Sequence, residues 1–168
     1  MCPEISEKGY MDTGLDIRNY TNDNIYPLLP LLSQEFPNWT IDKIKNYVKL
    51  VISKNLDVSG ILVAQNEALY NVGILIYTLQ TISSELLGNS KKEKLSNGIV
   101  VENLNASSPI LQKQVFFLLI EKVIKLANEK NCEFVELPKF DESYDLIRQK
   151  YESKITNPND FRVFIKLN

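Results

Sequence analysis

The stretch from Gly98 to Asn131 constrains the fold most. It opens with Gly98-Ile-Val-Val-Glu-Asn-Leu104, which is apolar at nearly every position. A strand with one wet face alternates apolar and polar residues, so this pattern marks a strand covered on both faces. Asn105-Ala-Ser-Ser-Pro109 follows as a short polar loop, and a helical pattern then runs to Asn131. Within it, Val115-Phe-Phe-Leu-Leu-Ile120 leaves only a narrow polar strip of Gln114, Glu121, Lys125 and Asn128. A helix this apolar is wrapped by protein on most sides. Strand, polar loop and helix in this order often hold an anionic group, because a helix start offers unpaired N–H groups and the positive end of the dipole.

The remainder of the chain supplies the elements around this unit. Residues 1–14 are polar and read as a loose tail. Leu15-Asp-Ile-Arg-Asn-Tyr20 alternates and is a first strand. Thr21-Asn-Asp23 suits a helix start, and Ile25, Leu28, Leu29, Leu31 and Leu32 form the apolar face that follows. Pro27 fits a first turn, whereas Pro30 is expected to kink the helix. Phe36-Pro-Asn-Trp39 interrupts, and Thr40 caps a second helix with Ile41, Ile44, Tyr47, Val48, Val51 and Ile52 on one face. Its lysines, Lys43, Lys45 and Lys49, read as a solvated face, as does Lys54 just beyond.

Residues 60–81 read as a hairpin turning at Gln65-Asn-Glu-Ala68, and 83–97 as a polar surface excursion. After the long helix, Cys132 to Leu137 is a strand. Asp141-Glu-Ser143 starts a short helix that reaches about Tyr151, Asn157-Pro-Asn159 is a turn, and Phe161 to Leu167 is a final strand. The order is β-α-α-β-β-β-α-β-α-β, a single α+β domain over residues 15–168 with a mixed central sheet flanked by helices.

Composition narrows the chemistry. The 168 residues contain no histidine. Hydrolysis through a histidine base and histidine-ligated metal sites are therefore excluded, and acid–base chemistry falls to carboxylate, tyrosine, lysine, cysteine or water. The net charge of -2 gives no electrostatic case for nucleic acid or an anionic membrane. The N-terminus lacks a signal-peptide pattern and no apolar run is long enough to span a bilayer, so the cytoplasm is the expected compartment. Cys2 and Cys132 match no metal or redox spacing. No metal is expected, because Asp141, Glu142 and Asp145 are first-turn acids that the helix dipole explains.

The element order, with two helices after the first strand and a long helix after the fourth, resembles the GNAT superfamily of N-acetyltransferases. Ile17-Arg18, Ile61-Leu-Val-Ala64, the turn at Asn66-Glu67, Val72-Gly73-Ile74 and Tyr151-Glu152 fall where that family has its own strand, hairpin and Tyr-Glu segments. The resemblance implies a splay between the fourth and fifth strands that holds the pantetheine of acetyl-CoA. It implies direct transfer of the acyl group to the amine of a small molecule or peptide. On this basis Val101, Glu102 and Asn103 contact pantetheine, and Ser107 and Ser108 face the pyrophosphate. Glu102 is the candidate water-linked base, with its pKa raised by burial, and Tyr151 is the candidate acid, with Tyr144 as a second. Trp39 lines the acceptor pocket.

The phosphate loop departs from the family pattern. Arg/Gln-x-x-Gly-x-Gly/Ala is replaced by Asn105-Ala-Ser-Ser-Pro-Ile-Leu-Gln-Lys-Gln-Val115, and no glycine follows Gly98 anywhere in the chain. Each assignment has a structural counterpart. Ser108 with Pro109 is a good helix cap and first turn without any ligand. Tyr151 could pack a helix end, Glu102 could bond to loop N–H groups, and Trp39 could anchor two helices. The alternative to an acyltransferase is thus a non-catalytic protein of the same fold that has lost acetyl-CoA and serves as a binding or scaffold module, with the final strand as the edge of a homodimer.

Overall fold

The computed structural model describes residues 14–22, 24–54, 58–88, 94–138, 141–159 and 162–167. The expected tail at residues 1–13, the helix-start residue Asp23 and the Lys91–Glu93 part of the surface excursion lie outside them. Seven strands form one sheet in the order β1-β2-β3-β4-β5-β7-β6. They are β1 (Asp16–Asn19), β2 (Ser59–Gln65), β3 (Asn71–Ser83), β4 (Leu95–Ala106), β5 (Phe134–Leu137), β6 (Ile155–Asn159) and β7 (Arg162–Lys166). Neighbours are antiparallel except β4 and β5. The sheet is mixed, the helices cover it, and the class is α+β, as the sequence indicates.

The helices are α1 (Leu29–Glu35), α2 (Ile41–Ser53), α3 (Gln112–Glu129) and α4 (Asp145–Tyr151). Strand alternation assigns each pair of helices to one face. Ile61, Val63, Ile74 and Ile76 pack with Leu31, Leu32, Ile44 and Val48 of α1 and α2. Their neighbours Leu62, Ala64, Leu75 and Tyr77 pack with Val115, Leu119 and Val123 of α3 and Ile147 of α4. The parallel β4–β5 pair needs a crossover connection, and α3 is that crossover. Among the described residues no helix is long and apolar enough to cross a membrane.

One glycine sets how closely α3 approaches. A Cβ on Gly73 would lie 2.2 Å from Val115 Cγ1, so the first full turn of α3 packs directly on the β3 backbone. Thr40 caps α2 as expected, its Oγ1 accepting from the Lys43 N–H at 3.2 Å.

Three local expectations are corrected. Pro30 does not kink a helix. Tyr26–Leu28 form a separate 3-10 turn, and Pro30 sits in the first turn of α1, where its missing N–H costs nothing. Ser108 is not the helix cap either. Ser108 to Leu111 form a turn, with the Leu111 N–H donating to the Ser108 carbonyl at 3.2 Å, and α3 begins at Gln112. Asn157-Pro-Asn159 is part of a strand, β6, that pairs with β7. The final strand is therefore flanked on both sides and offers no free edge for a dimer. The edge at that end of the sheet is β6.

Candidate functional site

β4 and β5 separate midway along β4. They pair in parallel from Gly98 with Phe134 to Val100 with Glu136. β5 then continues to Leu137 against β7, while β4 runs on from Val101 to Ala106 along β3. A bulge coincides with the parting. Ile76 pairs with Asn103 and Tyr77 with Val101, which leaves Glu102 as the extra residue. The bulge resets the alternation of side chains. Ile99, Val101, Leu104 and Ala106 belong to the core under α3, whereas Glu102 and Asn103 both reach Tyr47 of α2 on the opposite face.

A polar cluster forms there. Tyr47 Oη accepts from Asn103 Nδ2 at 2.8 Å and donates to Glu102 Oε2 at 3.3 Å. The Thr78 hydroxyl donates to Glu102 Oε1 at 3.2 Å. Burial raises the Tyr47 pKa well above the usual phenol range, and the Glu102 carboxylate beside it adds to the shift. Glu102 itself is exposed rather than buried. Its partners are side-chain hydroxyls, not loop N–H groups.

Three rings flank this cluster. Phe36 and Trp39 stack with centroids 4.2 Å apart, and each meets Tyr47 edge-on at 5.7 Å. The Phe36-Pro-Asn-Trp39 break between α1 and α2 thus makes a half-buried aromatic wall. Lys43 is not merely part of a solvated face, because its ammonium lies 4.3 Å over the Trp39 ring.

The candidate acids lie on the α3–α4 face. Tyr151, at the end of α4, donates to Glu121 Oε1 of α3 at 2.5 Å, and Lys150 reaches Glu121 Oε2 at 2.8 Å. Burial raises the Tyr151 pKa, reinforced by its bond to Glu121. Burial also raises that of Glu121, opposed by the same bond. Tyr144 is buried against Phe116, with ring centroids 5.5 Å apart. Burial raises its pKa too, followed by the charges of Asp141 and Glu35. Glu35 at the end of α1 acts on both Tyr47 and Tyr144.

The loop from Ala106 to Gln112 bonds to β3 and to itself. The Ser107 N–H donates to the Val72 carbonyl, that of Ile110 to Ser108 Oγ, that of Leu111 to the Ser108 carbonyl and that of Gln112 to the Pro109 carbonyl. Pro109 has no N–H. Lys113, the cation nearest the helix start in sequence, pairs with Asp145 at 3.2 Å. Asp141 accepts from the Ser143 N–H at 2.9 Å, so two of the three first-turn acids have structural partners.

The structure thus brings Glu102, Asn103 and the Trp39 wall together around Tyr47. Tyr151 and Tyr144 sit on the other face, and Ser107 and Ser108 lie past the end of β4. Sequence reading missed Tyr47, Thr78 and Glu121 as partners. A tyrosine on the otherwise aliphatic face of α2 was the available signal for the first. Nothing in the sequence pairs Glu121 with Tyr151, thirty residues away.

No protein-family model and no curated protein matches the sequence. Solved structures do. A GNAT family acetyltransferase from Staphylococcus aureus superposes with a TM-score of 0.60 at 13% identity, covering 79% of this chain and 91% of that one. AAC(6')-Iy in complex with a bisubstrate analog, CoA-S-monomethyl-acetylneamine, gives 0.59 at 14% identity, with 83% and 88% covered. AtaT complexed with acetyl-methionyl-tRNAfMet gives 0.55 at 10% identity, with 90% and 94% covered. The chain therefore has the GNAT acetyltransferase fold, and β4 with α3 is the unit that the sequence singles out.

Proposed function

We propose that this protein is an N-acyltransferase that moves an acyl group from an acyl-CoA to a primary amine of a small molecule or peptide in the cytoplasm. The observation that carries this reading is the end of β4–β5 pairing at Val100 and Glu136, next to the bulge at Glu102. Pairing that stops inside a sheet leaves main-chain groups of β4 without a strand partner on that side, and an extended amide chain such as pantetheine can bond to them.

Each candidate then has a role. Backbone of Val101, Glu102 and Asn103 holds pantetheine, and Ser107 and Ser108 face the pyrophosphate. A bound acyl-CoA supplies the acyl group already activated as a thioester. Glu102, exposed on the α1–α2 face, removes a proton from the incoming ammonium through water. Tyr151 on the α3–α4 face, or Tyr144, keeps a proton available for the departing thiolate, and burial supports this by holding both phenols protonated. Trp39 lines the acceptor side. The base and the acids thus lie on opposite faces of the sheet.

Phosphate is gripped weakly. Ser107, Ile110, Leu111 and Gln112 have engaged N–H groups and Pro109 has none, so donor affinity rests mainly on the pantetheine arm. A thermal-shift experiment tests both points. A ligand at a hundredfold excess over its Kd stabilises the native state by about 2.7 kcal/mol, or roughly 5–10 °C for a chain of this size. Acetyl-CoA should raise the melting temperature, and acetyl-pantetheine, which lacks the nucleotide, should raise it comparably. No shift with either at millimolar concentration would overturn the proposal.

A further inference from the structure

Trp39, Phe36 and Tyr47 form a corner of three rings beside a carboxylate, and one ring face already carries a cation. The Lys43 ammonium lies 4.3 Å over Trp39. A ring face attracts a cation through its quadrupole, most strongly for tryptophan. Tyr47 stands edge-on to both Trp39 and Phe36 and donates to Glu102, so the ring corner and the carboxylate are one tyrosine apart. All of these elements face the same side of the sheet, and Trp39 and Tyr47 are half-buried while Lys43 and Glu102 are exposed.

From this we infer that the Trp39 face is a cation subsite for an aliphatic di- or polyamine, occupied in the free protein by the chain's own Lys43. Two separated anionic or π-rich points, the Trp39 face and the Glu102 carboxylate, suit an acceptor with two ammonium groups on an alkyl spacer. One ammonium rests on Trp39 after displacing Lys43, and the other lies at Glu102, where its proton is removed before acylation. An uncharged acceptor would bring no positive charge to the Trp39 face or to the Glu102 carboxylate. Lys43 acts as a competitor tethered to the first turn of α2. The inference deepens the acyltransferase reading and rests on it for the fate of the second amine. The binding step stands without it.

Trp39 is the only tryptophan in the chain, so tryptophan emission reports this corner alone. Spermidine titrated into the full-length protein, with no acyl donor present, should change that emission saturably, and added salt should weaken the response. 1,4-Butanediol, of similar polarity and without charge, should give no saturable change. A cation–π contact at an exposed site corresponds to about two- to fivefold in affinity. Lys43→Met should therefore tighten spermidine by about that factor, and Glu102→Gln should weaken it. Both positions are exposed, so neither substitution endangers folding. The absence of a saturable spermidine response in both wild type and Lys43→Met would overturn the inference, as would weaker binding in Lys43→Met or an equal response to butanediol. Because no acyl donor is present, such a failure leaves the acetyl-CoA thermal shift to decide the acyltransferase reading separately.

Discussion

Tyr47→Phe removes one oxygen from the centre of the site, and its cost follows from two unequal hydrogen bonds. The phenol accepts from Asn103 Nδ2 at 2.8 Å and donates to Glu102 Oε2 at 3.3 Å. Glu102 is exposed, so water replaces the lost donor at little cost. Asn103 is only 9% exposed, and a buried amide left without its acceptor costs about 1–3 kcal/mol. The ring remains, its contacts with Phe36 and Trp39 persist, and no cavity is created. The expected destabilisation is therefore about 1–3 kcal/mol, which lowers the melting temperature of a chain this size by roughly 3–10 °C. Urea unfolding should show a lower midpoint with an unchanged slope. The Asn103→Ala variant and the double variant complete a cycle whose coupling should reach about 1 kcal/mol. The difference between wild type and Tyr47→Phe should also depend on pH. The folded-state pKa of Tyr47 is raised above its unfolded value near 10. Its contribution is complete below pH of about 10 and is lost as pH rises further towards the folded-state value. Wild-type stability in Tyr47→Phe, or strict additivity in the cycle, would refute this account of the cluster.

Gly73→Ala should destabilise by about 1–3 kcal/mol through overpacking, because its Cβ would meet Val115 Cγ1 at 2.2 Å. In chemical denaturation Val115→Ala should offset part of that loss, and simple summation of the two penalties would contradict the direct contact. Tyr151→Phe removes the hydrogen bond that holds the Glu121 pKa down against burial, so carboxyl NMR should find Glu121 titrating at higher pH than in the wild type; an unmoved titration would sink the pairing. If Tyr151 supplies the proton to the thiolate, the same variant should lower kcat with little change in KM. Ser108→Glu sets a carboxylate in the loop before α3 and should reduce the thermal shift with acetyl-CoA while sparing that with acetyl-pantetheine. An undiminished acetyl-CoA response would remove this loop from the donor site.

The sequence alone determined the element types and their order up to α4. The nearly unbroken apolarity of Gly98–Leu104 and the enclosed face of Val115–Ile120 are strong signals, and they identified the strand and the crossover helix that the structure contains. The absence of histidine limits the chemistry whatever the fold. Periodicity failed where local chemistry allows two outcomes. Ser108-Pro109 makes an equally good cap or turn, and the turn prevails because Ser108 closes onto Ile110 and Leu111. Asn157-Pro-Asn159 reads as a turn, yet β7 offers a strand to pair with.

Only the tertiary structure decided the site. The bulge at Glu102 depends on the register of β3 against β4, which no single strand encodes. It turns Asn103 to the same face as Glu102, where both reach Tyr47. Tyr47 joins them from more than fifty residues away, and Tyr151 finds Glu121 only because α4 packs on α3. Local sequence fixes backbone propensity within a few residues. The hydrogen bonds that make this site connect distant segments and exist only once the sheet has brought those segments together.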